Sequence, residues 1–281
     1  MIRFAFTLAT GIAFAFPALA AVDIQEVTSP GGIKAWLVEE HSIPFTALEI
    51  RFKGGASLDA EGKRGAINLM SGLLDEGAGD LDSRAFSAAR ENLAASIRFN
   101  ASDDAVSVSA RFLTENRAQA VDLIRMAVTE PRFDEDAIDR VRGQVLASIA
   151  SDARDPNAIA AHTFAHLAFP DDPYGTAIDG TEESVRALTR DDLIAAKDRV
   201  MARDRVVVSA VGDIGADELG RILDEILGPL PATGAEMPPA VSYDLAGGTT
   251  VVDFDTPQSV ILFGRPGIDR DRGRSPAGRI G

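Results

Sequence analysis

The sequence predicts an α+β fold, a mostly antiparallel sheet covered by helices, and three observations carry that expectation. The first is strand periodicity: Ala105 to Phe112 sets Val106, Val108, Ala110 and Phe112 against Ser107, Ser109 and Arg111, the period-two pattern of a half-buried strand. The second is the order of elements, β-β-β-α-α-β-β-α-α-α-α-β-α, in which strands and helices come in runs instead of alternating. The third is size and composition. A chain of 281 residues, 46% hydrophobic and 25% charged, has the makings of a substantial core.

Taken in order, residues 22–28 and Gly32 to Glu39 read as strands joined by the turn Ser29-Pro30-Gly31-Gly32. Thr46 to Lys53 alternates through Ala47, Leu48, Ile50 and Phe52 as a third strand. Gly54-Gly55 leads into the stretch Gly65 to Gly77, where apolar residues at 66, 67, 69, 70, 73 and 74 describe an amphipathic helix with Gly77 as its stop. Asp82 or Ser83 caps a second helix, which turns Phe86, Ala89, Leu93 and Ile97 inward. Ser96 to Asn100 and Ala105 to Phe112 then form a hairpin about Asp103-Asp104.

Three helices follow, Thr114 to Thr129, Asp134 to about Ala153, and Asn157 to Leu167, bounded by Pro131 and Pro156. Thr189-Arg190-Asp191-Asp192 opens another with a capping-box arrangement. Val206 to Val211 is a continuous apolar run, the pattern of a strand buried on both faces. A last helix runs through Leu219, Ile222, Leu223, Ile226 and Leu227 and closes at Gly228.

These elements make one domain over 22–228, followed by a proline-rich linker over 229–240. Thr249 to Phe254 and Ser259 to Gly264 read as two further strands, the incomplete start, over 241–268, of a second domain. Residues 269–281 have no apolar period and read as a disordered tail. Such an ending is expected of a truncated or frame-shifted copy of a longer protein. Residues 1–20 show a basic start at Arg3, an apolar stretch from Phe4 to Phe16 and the small-residue signal Ala18-Leu19-Ala20. This reads as a secretory signal peptide cut after Ala20, too short to be a membrane anchor, with a bacterial periplasm as the destination.

A net charge of −15 argues against a nucleic acid or an anionic membrane as partner. The chain has no cysteine, so disulfides, thiolate metal sites and cysteine nucleophiles are excluded.

Several landmarks together resemble the pitrilysin/insulinase family of zinc peptidases, in its bacterial two-domain branch related to mitochondrial processing peptidase. Gly55-Ala56-Ser57-Leu58-Asp59 with Gly62-Lys63-Arg64-Gly65 is similar to the family's glycine-rich lead-in to the zinc helix. Asn100-Ala101-Ser102 resembles the start of its substrate-docking edge strand. Pro173-Tyr174-Gly175 with Ile178-Asp179-Gly180-Thr181 resembles a characteristic loop, Val211-Gly212-Asp213-Ile214 the end of the last strand of its first domain, and Thr256-Pro257-Gln258 the opening of its second.

Carried over residue by residue, the resemblance places the family's inverted His-x-x-Glu-His motif on Asn68, Ser71 and Gly72, which share one helix face. Its third metal ligand, a glutamate, falls near Ser148 in Gln144-Val145-Leu146-Ala147-Ser148-Ile149. Zinc peptidase chemistry needs three strong ligands, an open position for water and a carboxylate to take that water's proton. Asn68, Gly72 and Ser148 are not such ligands, and Ser71 is no base near neutral pH. The resemblance therefore implies a non-catalytic homologue without bound zinc.

Other candidates are weaker. His162 and His166 stand at i, i+4, a spacing that binds zinc, but no glutamate lies between them, and Asp152 and Asp155 lie across Pro156. His41 follows Glu39-Glu40 in a loop and is a lone histidine. Asp75 and Glu76 point about 100° apart on a helix and read as a solvated turn. Ser71 lacks a Gly-x-Ser-x-Gly elbow, and Gly212-Asp213-Ile214-Gly215 lacks the third glycine of a dinucleotide loop.

The first functional expectation is a partner subunit, forming a heterodimer with an active zinc peptidase that processes or degrades peptides. The resemblance also implies that the second domain of such a subunit supplies substrate-binding arginine and tyrosine, at positions beyond Gly281. The second expectation is a metal-dependent endopeptidase using another site, such as His162 and His166. The third is a stand-alone periplasmic module that binds peptides along the edge strand Asn100, Ala101 and Ser102 by backbone hydrogen bonds.

Overall fold

A computed structural model describes residues 23–243, 245–265 and 267. The signal-peptide reading of residues 1–20 and the reading of 269–281 as a disordered tail both lie outside the described residues.

The chain opens with strands β1 (Gln25–Thr28), β2 (Lys34–Glu39) and β3 (Phe45–Lys53), then helix α1 (Ala66–Ser71). Two very short strands, β4 (Gly77–Ala78) and β5 (Leu81–Asp82), precede α2 (Ser83–Asn92). The hairpin β6 (Ser96–Ala101) and β7 (Ala105–Leu113) leads to α3 (Arg117–Thr129), α4 (Glu135–Asp152) and α5 (Pro156–Ala168). Helices α6 (Glu182–Ala187) and α7 (Arg190–Val200), strand β8 (Val206–Gly212) and helix α8 (Ala216–Leu227) complete the set.

Six strands form one sheet in the order β1-β2-β8-β3-β7-β6, with β2 and β8 parallel and the other pairs antiparallel. The fold is therefore α+β and mostly antiparallel, as the sequence predicts. Register follows the alternation: Leu48, Ile50 and Phe52 of β3 lie opposite Ala110, Val108 and Val106 of β7, and all six are buried on the helix-covered face. That face meets the apolar side of α8, where Leu219, Leu223, Ile226 and Leu227 are fully buried. Alternation is thus converted directly into a core, with about 25 cal/mol for each Å² of apolar surface removed from water.

Strand β8 departs from the expectation of burial on both faces. Val208 and Ala210 are buried, but Val211 is 44% exposed, because among the described residues no second helical layer covers the outer face. The apolar run therefore reflects β propensity as much as burial. Helix α1 is also shorter than expected. Gly72, a poor helix former, is its C-cap, and the chain turns through Leu73 and Glu76 so that Gly77, at φ 120°, can enter β4. The short helix α6 and the pair β4–β5 have too few residues to show a period.

The linker is held in its first half. The guanidinium of Arg205 donates to the Ala235 carbonyl at 2.6 Å, and the Ala235 amide donates to the Arg199 carbonyl at 2.9 Å. The strands expected at 249–254 and 259–264 are not formed: among the described residues these segments carry no strand pairing, and Val251, Ile261 and Phe263 are 82%, 82% and 89% exposed. Their apolar alternation is real, but a strand needs a neighbour to satisfy its backbone groups. No helix among the described residues is long and apolar enough to cross a membrane.

Candidate functional site

The site is built on the N-terminus of α1. No side chain at the cap position serves it, because that residue is Gly65 at φ 97°. The cap comes from Asp59 instead, whose carboxylate accepts from the amides of Gly65 at 2.9 Å and Ile67 at 2.8 Å. Burial raises the pKa of Asp59, against those hydrogen bonds and the Arg64 charge, which lower it. Arg64 spreads across the surrounding loops. It donates to the carbonyls of Ala56 (2.5 Å), Pro173 and Thr176 (both 3.1 Å) and Ala177 (3.1 Å), and pairs with Asp103 at 2.9 Å. One side chain thus joins the glycine-rich lead-in, the β6–β7 turn and the loop that begins at Pro173.

The face of α1 that carries Asn68, Ser71 and Gly72 packs beside β6 and α4. The Asn68 amide donates to Asp179 Oδ1 at 2.7 Å. Burial and the neighbouring Asp152 raise the pKa of Asp179, against the Asn68 hydrogen bond and the His162 charge. Ser71 is 2% exposed, and a Cβ at Gly72 would sit 3.3 Å from Val141 of α4. Ser148 lies two turns beyond Val141 on the same side of α4, exposed. The four positions are gathered around one helix pair, but their donors are an amide, two hydroxyls and a glycine. This set does not fit a zinc ion, which takes imidazole, carboxylate or thiolate in three protein positions. Among the described residues no group of three His, Asp or Glu side chains is arranged to hold a metal ion.

The other candidates fall elsewhere. His162 and His166 lie exposed on α5. His41 Nδ1 is 2.8 Å from Asp213 and its Nε2 3.3 Å from Glu39, so both ring nitrogens are engaged. The Asp213 hydrogen bond, followed by that of Glu39, raises the pKa of His41. A raised histidine stabilises fully below its unfolded value of about 6.5, and the contribution is lost as pH rises through the folded value. His41→Gln is therefore expected to lower stability more at pH 5 than at pH 8.5, read by urea denaturation at both. Equal losses would mean that the imidazolium contributes nothing.

Asp75 and Glu76 are not a solvated turn. Arg140 grips Glu76 at 2.8 and 2.7 Å, Ser83 donates to the same carboxylate, and Arg90 pairs with Asp75 at 2.9 Å. Two arginine-bearing helix faces, those of α2 and α4, converge there, which local spacing does not reveal.

Strand β6 is one edge of the sheet, bonded among the described residues to β7 alone. Asn100 and Ala101 end it, and Ser102 begins the turn. Its exposed residues Ser96, Arg98 and Asn100 alternate with Ile97 and Ala101, which are buried. The outward backbone groups of such a strand are free to pair with an added chain.

The profile of the insulinase family (peptidase family M16) matches residues 35–182. The chain belongs to that family. It is 27% identical over 266 residues to the non-peptidase homolog YmxG of Helicobacter pylori, covering 95% of this chain and 61% of that protein. It is 20% identical over 201 residues to a probable mitochondrial-processing peptidase β subunit of Arabidopsis thaliana, covering 72% of this chain and 38% of the relative. Among solved structures, a peptidase M16 inactive domain from Pseudomonas fluorescens superposes with a TM-score of 0.73 at 26% identity, over 78% of this chain and 53% of that one. The chain thus spans less than two thirds of the length of these relatives.

Within the insulinase frame, two residues that carry the site were not assigned a role from sequence. Arg64 and Asp179 both stand inside recognisable landmarks, but their partners lie as far as 113 and 111 residues away. Spacing along the chain holds no signal for such contacts.

Proposed function

We propose that this chain is a non-catalytic insulinase-family homologue that acts as the partner subunit of an active zinc peptidase, in peptide processing or degradation in the periplasm. One observation carries the reading: the α1 face beside the edge strand holds Asn68, Ser71 and Gly72, and the Asn68 amide is spent on Asp179. A hydrolytic zinc centre needs ligands and a base at those positions. The names of two relatives, a non-peptidase homolog and an inactive domain, support the same reading. What such a subunit retains is binding. Its open β6 edge offers backbone hydrogen bonds to a peptide without any catalysis.

The test has two parts. Elemental analysis of the purified chain is expected to find no stoichiometric zinc, with Asn68→Ala and the His162→Ala/His166→Ala double mutant unchanged. Co-expression with a family member that carries an intact His-x-x-Glu-His is expected to give a stable 1:1 complex by size exclusion. One zinc per chain, lost in the histidine double mutant, would overturn the non-catalytic reading. Failure to pair with any such relative would overturn the subunit reading.

A further inference from the structure

A cavity of about 550 Å³ opens where the β6–β7 turn, the loop from Phe169 to Gly175 and the linker segment from Met237 to Val241 meet. Its size falls in the range of small-ligand sites. Three of its walls are aromatic. The Phe169 ring lies 5.7 Å from Tyr174, tilted by 47°, and 5.9 Å from Tyr243, edge-on at 75°. The three rings form a corner whose faces are not all used against one another.

Two carboxylates, Asp104 and Asp172, complete the lining. Tyr174 donates its hydroxyl to Asp104, and the Tyr174 amide donates to Asp172 Oδ1 at 3.0 Å. Burial, followed by Asp104, holds the Tyr174 phenol well above its ordinary pKa, so it stays a donor. Among the described residues neither carboxylate has a cationic partner: the nearby Arg64 is engaged with Asp103, and Arg205, at the Met237 rim, with Asp204 at 2.9 Å. Two more oxygens in the lining are unsatisfied. Ser57 Oγ and Tyr243 Oη are buried with no hydrogen-bond partner among the described residues. Buried polar atoms left without partners call for an explanation.

We propose that this cavity binds a guanidinium group, the side chain of an arginine in a peptide or protein ligand. A planar, weakly hydrated cation stacks on aromatic faces and presents a fork of N–H donors to carboxylates. Here the rings of Phe169, Tyr174 and Tyr243 supply the faces, Asp104 and Asp172 the charge, and the Ser57 and Tyr243 oxygens the remaining acceptors. A lysine ammonium is a compact, strongly hydrated charge that matches the flat walls less well. The inference does not depend on the partner-subunit reading, since the cavity is built entirely from this chain.

Tyr174 and Tyr243 are the only tyrosines in the sequence, so tyrosine ring labelling reports on this cavity alone. NMR titration of the labelled full chain with N-acetyl-arginine methylamide is expected to shift both ring signals saturably. The neutral citrulline isostere is expected to leave them unmoved, and the lysine analogue to bind more weakly. Asp104→Asn and Asp172→Asn should each weaken arginine binding by about tenfold or more, the worth of one hydrogen bond to a charged group. Unmoved tyrosine signals with arginine, or an equal response to citrulline or lysine, would overturn the proposal. Because those arms use the unmodified chain, the outcome does not rest on any variant folding.

Discussion

Arg64→Ala is expected to lower the stability of the domain by about 3–5 kcal/mol, the cost of removing one partner from a buried ion pair. The Arg64 side chain is 16% exposed and that of Asp59 4%, so solvent does little to replace what is lost. The deletion leaves Asp59 without its nearby charge, although the amides of Gly65 and Ile67 still donate to it. It also leaves the carbonyls of Ala56, Pro173, Thr176 and Ala177 without the donor that joins their loops. Arg64→Lys is expected to recover only a part. An ammonium keeps the charge, but its donors radiate from one nitrogen, whereas Arg64 uses Nε, Nη1 and Nη2 toward different segments.

The pH dependence of that variant follows from Asp59, whose pKa burial already raises. Removing the cation raises it further. For a raised group the stabilising contribution is full below the unfolded value and is lost as pH rises through the folded one. The deficit of Arg64→Ala should therefore be larger at pH 7 than at pH 4.5, measured by urea denaturation at both. A loss below about 1 kcal/mol at pH 7 would mean that Arg64 behaves as an ordinary surface ion.

The sequence makes the sheet and most helices legible because those elements are local. Val106, Val108, Ala110 and Phe112 announce a half-buried strand by period alone, and Thr189 with Asp192 announces a helix start by a bond across three residues. The parallel pairing of β2 with β8 was not legible. It joins Trp36 to Ser209, and nothing in either strand names the other. The outer-face exposure of Val211 was missed for a related reason: an apolar run fixes strand preference, but burial depends on whether a second layer covers the sheet.

The candidate site divides along the same line. The residue types at 68, 71, 72 and 148 are read directly off the chain, and they already speak against zinc chemistry. What replaces the metal contact is not local. The hydrogen bond from Asn68 to Asp179 spans 111 positions, and the three rings of the aromatic cavity come from two loops brought together by the fold. Asp75 and Glu76 teach the converse lesson. Adjacent acids look solvated until the arginines of α2 and α4 arrive from elsewhere in the chain.

Gly55→Ala is expected to cost about 2–5 kcal/mol. Gly55 sits at φ 42°, and a Cβ there would lie 2.1 Å from the Ser102 carbonyl oxygen, 2.3 Å from the Ala105 nitrogen and 2.7 Å from the Asp103 oxygen. All three are backbone atoms of the turn that closes β6 on β7, so no side-chain rotation relieves the overlap. The lead-in is stitched to that turn by hydrogen bonds donated by the amides of Gly54 to the Asp104 carbonyl (2.7 Å), Ala56 to that of Ser102 (2.8 Å) and Ser57 to that of Asp103 (3.0 Å). The expected cost combines about 1–2 kcal/mol for a left-handed alanine with about 1–3 kcal/mol for overpacking. Two other glycines separate these terms. Gly62, at φ 71° with nothing within 4 Å of an added Cβ, should show the conformational cost alone. Gly143, inside α4 and equally open, should gain about 0.5–1 kcal/mol as alanine. Urea denaturation of the three variants gives the ranking, and hydrogen exchange locates it, with Gly55→Ala expected to strip protection from the amides of β6 and the turn first. Equal effects at Gly55 and Gly62 would mean that the turn yields to the methyl group, and that the edge strand is not held in place by this close approach.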